Sequence, residues 1–457
     1  MSGGLDPSLI TARRPVRLDG ASVVGVLIVA LYALPATLIV PGLTYAGRPA
    51  LVLALGLFAW WVLARLSPRL VSPGPQPLRW AALALLASVL LSYVAGLLRG
   101  LPAVEANAQN FTVLVTLEIL GLVLVTADGI RDLDRLRSVL RVFVWSAAFV
   151  AVVAFIQSTF AFDLSHFLVL PGLEFKADPA DFQLRGDGGH FRVAGTTTHY
   201  IEFSTVMALA VPFAIHLALF APTPRGRRVY LAVSMGLVAV IPLAISRTGV
   251  VALAAAGAVM FCLAWTWRVR YHVAVLGSAV LLALFVLRPG LLGTLAAMFR
   301  WFGADPSIEG RTSDYQRVGY WFAQRPLLGR GPGTLIPDLY LFLDNQWLYT
   351  LVTQGIVGVL ALAALHLTCV ALASLAMRRA RGAEERHLCA ALIAVQVVAV
   401  LVAATFDSLS FTTFTFTLAL MSGLCGAVWR LTHPRARVST GSPYRTEGVR
   451  GGSLHNE

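Results

Sequence analysis

Apolar residues fall in runs of about 20 along almost the whole chain, separated by short polar breaks. A run of that length suits an α-helix crossing roughly 30 Å of hydrocarbon. Runs near spanning length are centred near residues 30, 58, 89, 119, 149, 209, 237, 258, 282, 359, 398 and 420, which predicts about 12 spans. The expected fold class is all-α, a polytopic transmembrane helical bundle. Two connections are long, about 159–198 and about 295–345, and the polar and aromatic residues of the second suit short interfacial helices. The pattern divides the chain into an N-terminal segment (1–20), a membrane domain (21–432) and a tail (433–457). The tail is rich in Gly, Ser, Arg and Pro, lacks an apolar period and is expected to be disordered.

Composition sharpens this picture. Of 457 residues, 57% are hydrophobic and 13% charged, against about 25% charged in soluble domains. Mean hydropathy is +0.75. A soluble enzyme, a secreted disulfide scaffold and a disordered chain are excluded. The four cysteines, Cys262, Cys369, Cys389 and Cys425, lie in or at the edge of apolar runs, without a CxxC pair. No Asp, Glu, His or Cys set has metal-ligand spacing, so neither metal nor cofactor is expected.

The net charge of +13 comes from 36 basic and 23 acidic residues, and the basic ones are 35 arginines and a single lysine, Lys176. Alternate connections hold 24 of the 36: the N-terminus, the breaks around Arg65 to Arg79, Arg131 to Arg141, Arg225 to Arg228, Arg268 to Arg270 and Arg378 to Arg386, and the tail from Arg430. Because positive charge is retained on the cytoplasmic side, both termini are expected there and both long loops outside, which requires an even number of spans. Arg13, Arg14 and Arg17 precede the first run and no small-residue cleavage site clearly follows, so the first span reads as uncleaved. The chain has no phosphate-binding GxxxxGK[ST] loop, no tandem repeat and no matched pair of interrupted helices, which weighs against an ATP-driven pump or a repeat-built transporter.

Four polar clusters lie on the expected outer side. Ser246-Arg247-Thr248-Gly249 is a break so short that Arg247 must sit at the interface, either gripping phosphate with its planar fork or snorkelling from a turn. The segment that begins at Gly310 carries Arg311 and Arg317, with Tyr315, Val318 and Phe322 at helical spacings of 3 and 4. It leads through Arg325 to Leu328-Gly329-Arg330-Gly331-Pro332-Gly333, where glycines would expose backbone amides to an anion. Its arginines serve equally well as headgroup contacts. Asp344-Asn345-Gln346 opens the tenth span as a cap, with a base and hydrogen-bond donors to spare. Arg192 to Phe203 leads into the sixth span, where His199 and Glu202 would share a helix face as a catalytic or a structural pair. Glu118 lies within the fourth span, as an ion site or a partnered acid.

In these clusters the sequence resembles the bacterial O-antigen ligase and polymerase superfamily. The resemblance rests on Ser246 to Gly249, Arg311 to Trp321 with Pro326 to Gly333, Asp344-Asn345 with Leu348, Gly355 and Gly358, and Arg192 with Gly195-Thr196, and it covers about residues 190–360. It implies a metal-independent membrane glycosyltransferase of the bacterial inner membrane. Such an enzyme takes a glycan from polyprenyl (undecaprenyl) pyrophosphate, with glycan or lipid as acceptor. Arg247, Arg311, Arg192 and Arg317 would bind pyrophosphate; Asp344 would activate the acceptor and Asn345 orient it, with His199 and Glu202 in support. Asp344 stands where the ligases carry His, and His199 to Glu202 replaces a His-Pro-Asn run, so polymerisation is slightly favoured over ligation. The rival readings are a flippase or secondary transporter of lipid-linked glycans, for which the spans offer few polar residues, and a peptidoglycan-polymerising transferase, which lacks these motifs.

Overall fold

In the computed structural model the described residues are 19–43, 47–66, 75–176, 185–187, 190–288, 290–293, 296, 306–340 and 342–434, with the side chains of 185–191 and 306–313 outside the description. Residues 1–18 and 435–457, most of the two terminal segments, lie outside it too.

The described α-helices are α1 (Gly20–Ala33), α2 (Pro49–Arg65), α3 (Pro77–Arg99), α4 (Ala103–Gly129), α5 (Leu133–Phe160), α6 (Tyr200–Leu219), α7 (Pro224–Val240), α8 (Arg247–Leu263), α9 (Trp267–Leu287), α10 (Pro306–Gln324), α11 (Gln346–Arg379), α12 (Ala383–Val402) and α13 (Thr412–Thr432). Twelve fall on the twelve apolar runs, and α10 lies in the second long connection. Among the described residues nine helices are long and apolar enough to cross a bilayer, while α1, α2 and α8 are apolar but shorter. Their starts follow local chemistry. Asp19, Asp132, Thr223, Ser246 and Asn345 each accept a first-turn amide, and proline opens α2, α3 and α7, where its missing N–H costs nothing.

The centre of the bundle is α6 and α13, whose apolar windows are 94% and 89% buried, whereas α9 is 11% buried and turns its apolar surface outward. Charges segregate to the two ends. At one end Arg65 and Arg79 converge on Asp128, the latter at 2.8 Å, and Arg135 pairs with Asp19. Arg137 reaches Glu384 at 2.7 Å, and Arg430 donates to the carbonyl of Ala127 at 3.1 Å. All of these arginines belong to the larger of the two sets counted from sequence. The opposite end carries the long connections. There β1 (Leu38–Ile39), in the first connection, pairs antiparallel with β2 (Glu174–Phe175), and β3 (Arg185–Asp187) pairs with β4 (His190–Arg192). Thr196 Oγ1 donates to the Tyr32 carbonyl at 2.7 Å, binding the first long connection to the end of α1.

The tenth span is not one continuous helix. Gly355 sits inside α11 at φ 66°, ψ −167°, and the segment 326–331 fills the break. Arg330 N and Gly331 N donate to the carbonyls of Val352 and Thr353 at 3.1 and 3.0 Å, and Ile356 N donates to Pro326 O at 2.9 Å. A Cβ at Gly355 would lie 2.3 Å from the Leu327 carbonyl, so only glycine fits. This corrects one expectation: the amides of Arg330 and Gly331 are not exposed to an anion but consumed in repairing α11, and that of Gly329 donates to the Arg325 carbonyl at 3.1 Å.

Candidate active site

The start of α6 and the start of α13 meet at the loop-bearing end around one carboxylate. Glu202 is fully buried; its Oε1 accepts from the amides of Thr413 and Phe414 at 2.6 and 3.1 Å, and its Oε2 accepts from the amide and hydroxyl of Thr198 at 2.9 and 2.7 Å. Two helix N-termini, each carrying partial positive charge, neutralise it. Thr413 links this pair to Arg48, whose Nη2 donates to Thr413 Oγ1 at 3.1 Å and to the Leu31 carbonyl at 2.9 Å.

Arg48 is 4% exposed. Its Nε and Nη1 have no hydrogen-bond partner among the described residues. Burial pushes its pKa down to about 10, with the Glu202 charge opposing that fall, so the guanidinium remains charged at neutral pH. The side chain lines a cavity of about 630 Å³. Lys176, Thr198, Gln346, Gln354 and Ser410 supply other polar walls, and Leu85, Val89, Val115, Ile119, Leu362 and Phe416 supply apolar ones. Lys176 is carried in by the β1–β2 pairing, through its own amide on Thr37 O at 2.9 Å. A basic head above an apolar trough, of a size within the range of ligand sites, suits an amphiphile with an anionic head.

Beside the cavity, the start of α11 docks on the connection 403–411. Gln346 N donates to the carbonyls of Ala403 and Phe406 at 2.7 and 3.2 Å, Asn345 Nδ2 donates to Ala404 O at 3.3 Å, and Leu409 N donates to Gln346 Oε1 at 2.9 Å. The contact brings Asp407 within the field of Asp344. Burial pushes the Asp407 carboxyl up to about 6, with the Asp344 charge adding to it and the Ser410 hydrogen bond opposing. The helix cap belongs to Asn345, whose Oδ1 accepts from Leu348 N at 3.1 Å, and Asp344 is relieved of that task.

The structure thus redistributes the residues singled out from sequence. Asp344 and Asn345 stand next to the cavity, two residues and one residue before Gln346 on its wall. His199 does not share a helix face with Glu202: it is the N-cap of α6, Nδ1 accepting from Ile201 N at 3.3 Å, because an imidazole just outside the first turn reaches the free amides. Glu202 touches Arg48 by field rather than contact. Arg192 stacks on Tyr200 at 4.7 Å and donates to its hydroxyl at 2.9 Å. Arg247 opens α8, which packs tightly on α6 where Gly249 meets Ser204. Arg317 is exposed on α10, and the side chain of Arg311 lies outside the described residues. Of the seven with described side chains, none lines the cavity. Arg48 and Lys176, which do, were passed over; the signals available were a lone arginine ahead of the second apolar run and the only lysine in the chain. Glu118 is buried, and its Oε2 has no partner among the described residues. Among the described residues no group of three or more His, Cys, Asp or Glu side chains is placed to hold a metal ion.

Fold and site define a polytopic helical membrane protein with a cationic, apolar-walled cavity at one end. Residues 232–363, from α7 into α11, match the family model described as O-antigen ligase, and over that span the chain is similar to this family of membrane proteins. The matched span includes Arg247, Arg311, Arg317, Asp344 and Asn345. No curated protein matches the chain.

Proposed function

We propose that the protein transfers a glycan from a polyprenyl-pyrophosphate carrier to an acceptor sugar hydroxyl on the outer side of the bacterial inner membrane, with polymerisation favoured over ligation. The observation that carries this reading is the cavity, where Arg48 and Lys176 stand over an apolar trough at the end bearing the long connections. The trough takes the polyprenyl chain and the cations take the diphosphate, whose charge grows as it leaves. The acceptor oxygen forms a bond to the anomeric carbon while the carbon–phosphate oxygen bond breaks. The electron pair departs with polyprenyl pyrophosphate, the acceptor proton passes to Asp344, and attack from the opposite face inverts the anomeric centre. Asn345 orients the segment. Arg192 ahead of α6, Arg247 at the start of α8 and Arg311 on α10 complete the basic surroundings, and guanidinium charge stands where other transferases use a divalent cation.

Reconstitution with a polyprenyl-pyrophosphate oligosaccharide tests the reading: a longer lipid-linked glycan marks a polymerase and a glycan on a new acceptor marks a ligase. The reaction is expected to survive EDTA. Movement of the donor across the bilayer without a new bond contradicts the proposal and favours a transporter.

A further inference from the structure

α10 rests on the bundle through Val318, buried with Leu335, Leu343 and Val352. On the adjoining side Gln316, Arg317, Tyr320 and Trp321, neighbours at spacings of four, form with Tyr340 a groove of about 460 Å³. Its rings are set at angles to one another. Tyr320 and Trp321 lie 5.2 Å apart at 74°, and Trp321 and Tyr340 lie 5.6 Å apart at 81°.

Two of these rings, Trp321 and Tyr340, are held from the protein side. The guanidinium carbon of Arg330 lies 4.3 Å from the Trp321 ring and 4.0 Å from the Tyr340 ring. Arg330 pairs in turn with Glu105 at 3.4 Å, and Glu105 also accepts from the Tyr340 hydroxyl and from Arg99. With Arg330 5% and Glu105 1% exposed, the wall is fixed before any ligand arrives, so binding need not order it.

We propose that this groove is a glycan subsite that holds the sugar chain as it leaves the cavity; the inference rests on the transfer reading and says where the polymer lies. A pyranose presents an apolar C–H face and a rim of hydroxyls. Rigid aromatic faces match the first, and the tyrosine hydroxyl, the Gln316 amide and the Arg317 guanidinium match the second, Arg317 adding preference for acidic sugars. Tyrosine and tryptophan also anchor proteins in lipid headgroups. A sugar is the better fit because the rings line a groove and two of them, Trp321 and Tyr340, are braced by a buried ion pair. The groove also adjoins the cavity: Trp321 packs on the cluster that includes Tyr349, and Tyr349 lines the cavity, as does Ala108 one turn from Glu105.

The test is binding to the full chain in nanodiscs of oligosaccharides released by mild acid from the surface polysaccharide of the organism that encodes it, read by saturation-transfer NMR. The wild type saturates, Tyr320→Ala weakens binding about tenfold, the scale of one aromatic contact, and Tyr320→Phe retains most of it. Tyr320 is 65% exposed, so thermal stability should not move. In transfer assays the Tyr320→Ala defect appears as a raised KM for donors bearing several repeat units and not for one bearing a single sugar. Absence of oligosaccharide binding, equal binding by Tyr320→Ala, or a response of the variant only to the anionic-lipid content of the disc overturns the subsite. Glycan binding by a wild type that transfers nothing overturns the transfer reading alone and leaves the subsite standing.

Discussion

Asp344 and Asp407 are two acids brought together from residues 63 apart in sequence by the hydrogen bonds of Asn345 and Gln346 to the connection 403–409. Because Asn345 holds the cap, Asp344→Asn leaves α11 intact and isolates proton acceptance. The initial transfer rate is expected to fall by about 10²- to 10⁴-fold at unchanged thermal stability. A near wild-type rate would reduce Asp344 to a bystander. Asp407 gives a pH signature. Its folded pKa, about 6, is above the ordinary carboxylate value, so its contribution to stability is full below about 4 and is lost as pH rises through 6. Asp407→Asn should therefore raise the melting temperature at pH 7.5 and have little effect at pH 4, measured on the protein in detergent.

At the scale of elements, Glu202 ties α6 to α13 by accepting four hydrogen bonds in a fully buried position. Glu202→Gln replaces an acceptor oxygen with a donor that faces amide donors, and each buried donor left unmet costs about 1–3 kcal/mol. The expected outcome is a lower melting temperature and poor expression, rather than a stable enzyme with a selectively reduced rate; the latter would restore Glu202 to the chemistry. This role was not legible in the sequence, where the partner amides of Thr413 and Phe414 lie more than 200 residues away. The break in α11 was equally hidden, since Gly355 and Gly358 sit in an apolar run whose hydropathy does not reveal φ. By contrast, a cap at Asp344-Asn345 could be read from its place before an apolar run, because capping is a local interaction, and the structure gives it to Asn345.

For the molecule as a whole, the positions of the apolar helices were legible because hydrocarbon thickness imposes run length on the chain itself. The pairing of charges at one end was foreshadowed by the arginine count. The cavity was not: its walls come from α2, α3, α4, α11, α13 and four connections, and only the packed bundle brings Arg48, Lys176 and Gln346 together. If the arginine asymmetry sets the orientation, with the cavity end outside, reporter fusions near residues 180 and 320 are expected to be active only with an external reporter, and one after 440 only with a cytoplasmic one. Opposite activity at 320 would place the site in the cytoplasm. Most directly, the account stands on Arg48 holding a lipid diphosphate. Binding of undecaprenyl pyrophosphate to the protein in nanodiscs, compared between wild type, Arg48→Gln and Arg247→Gln at matched thermal stability, tests that point. The account predicts that Arg48→Gln weakens binding about ten- to a hundredfold, the scale of a lost charge-assisted contact, and more than Arg247→Gln does. Wild-type affinity in Arg48→Gln, with binding abolished in Arg247→Gln, would contradict it and move the diphosphate to the start of α8.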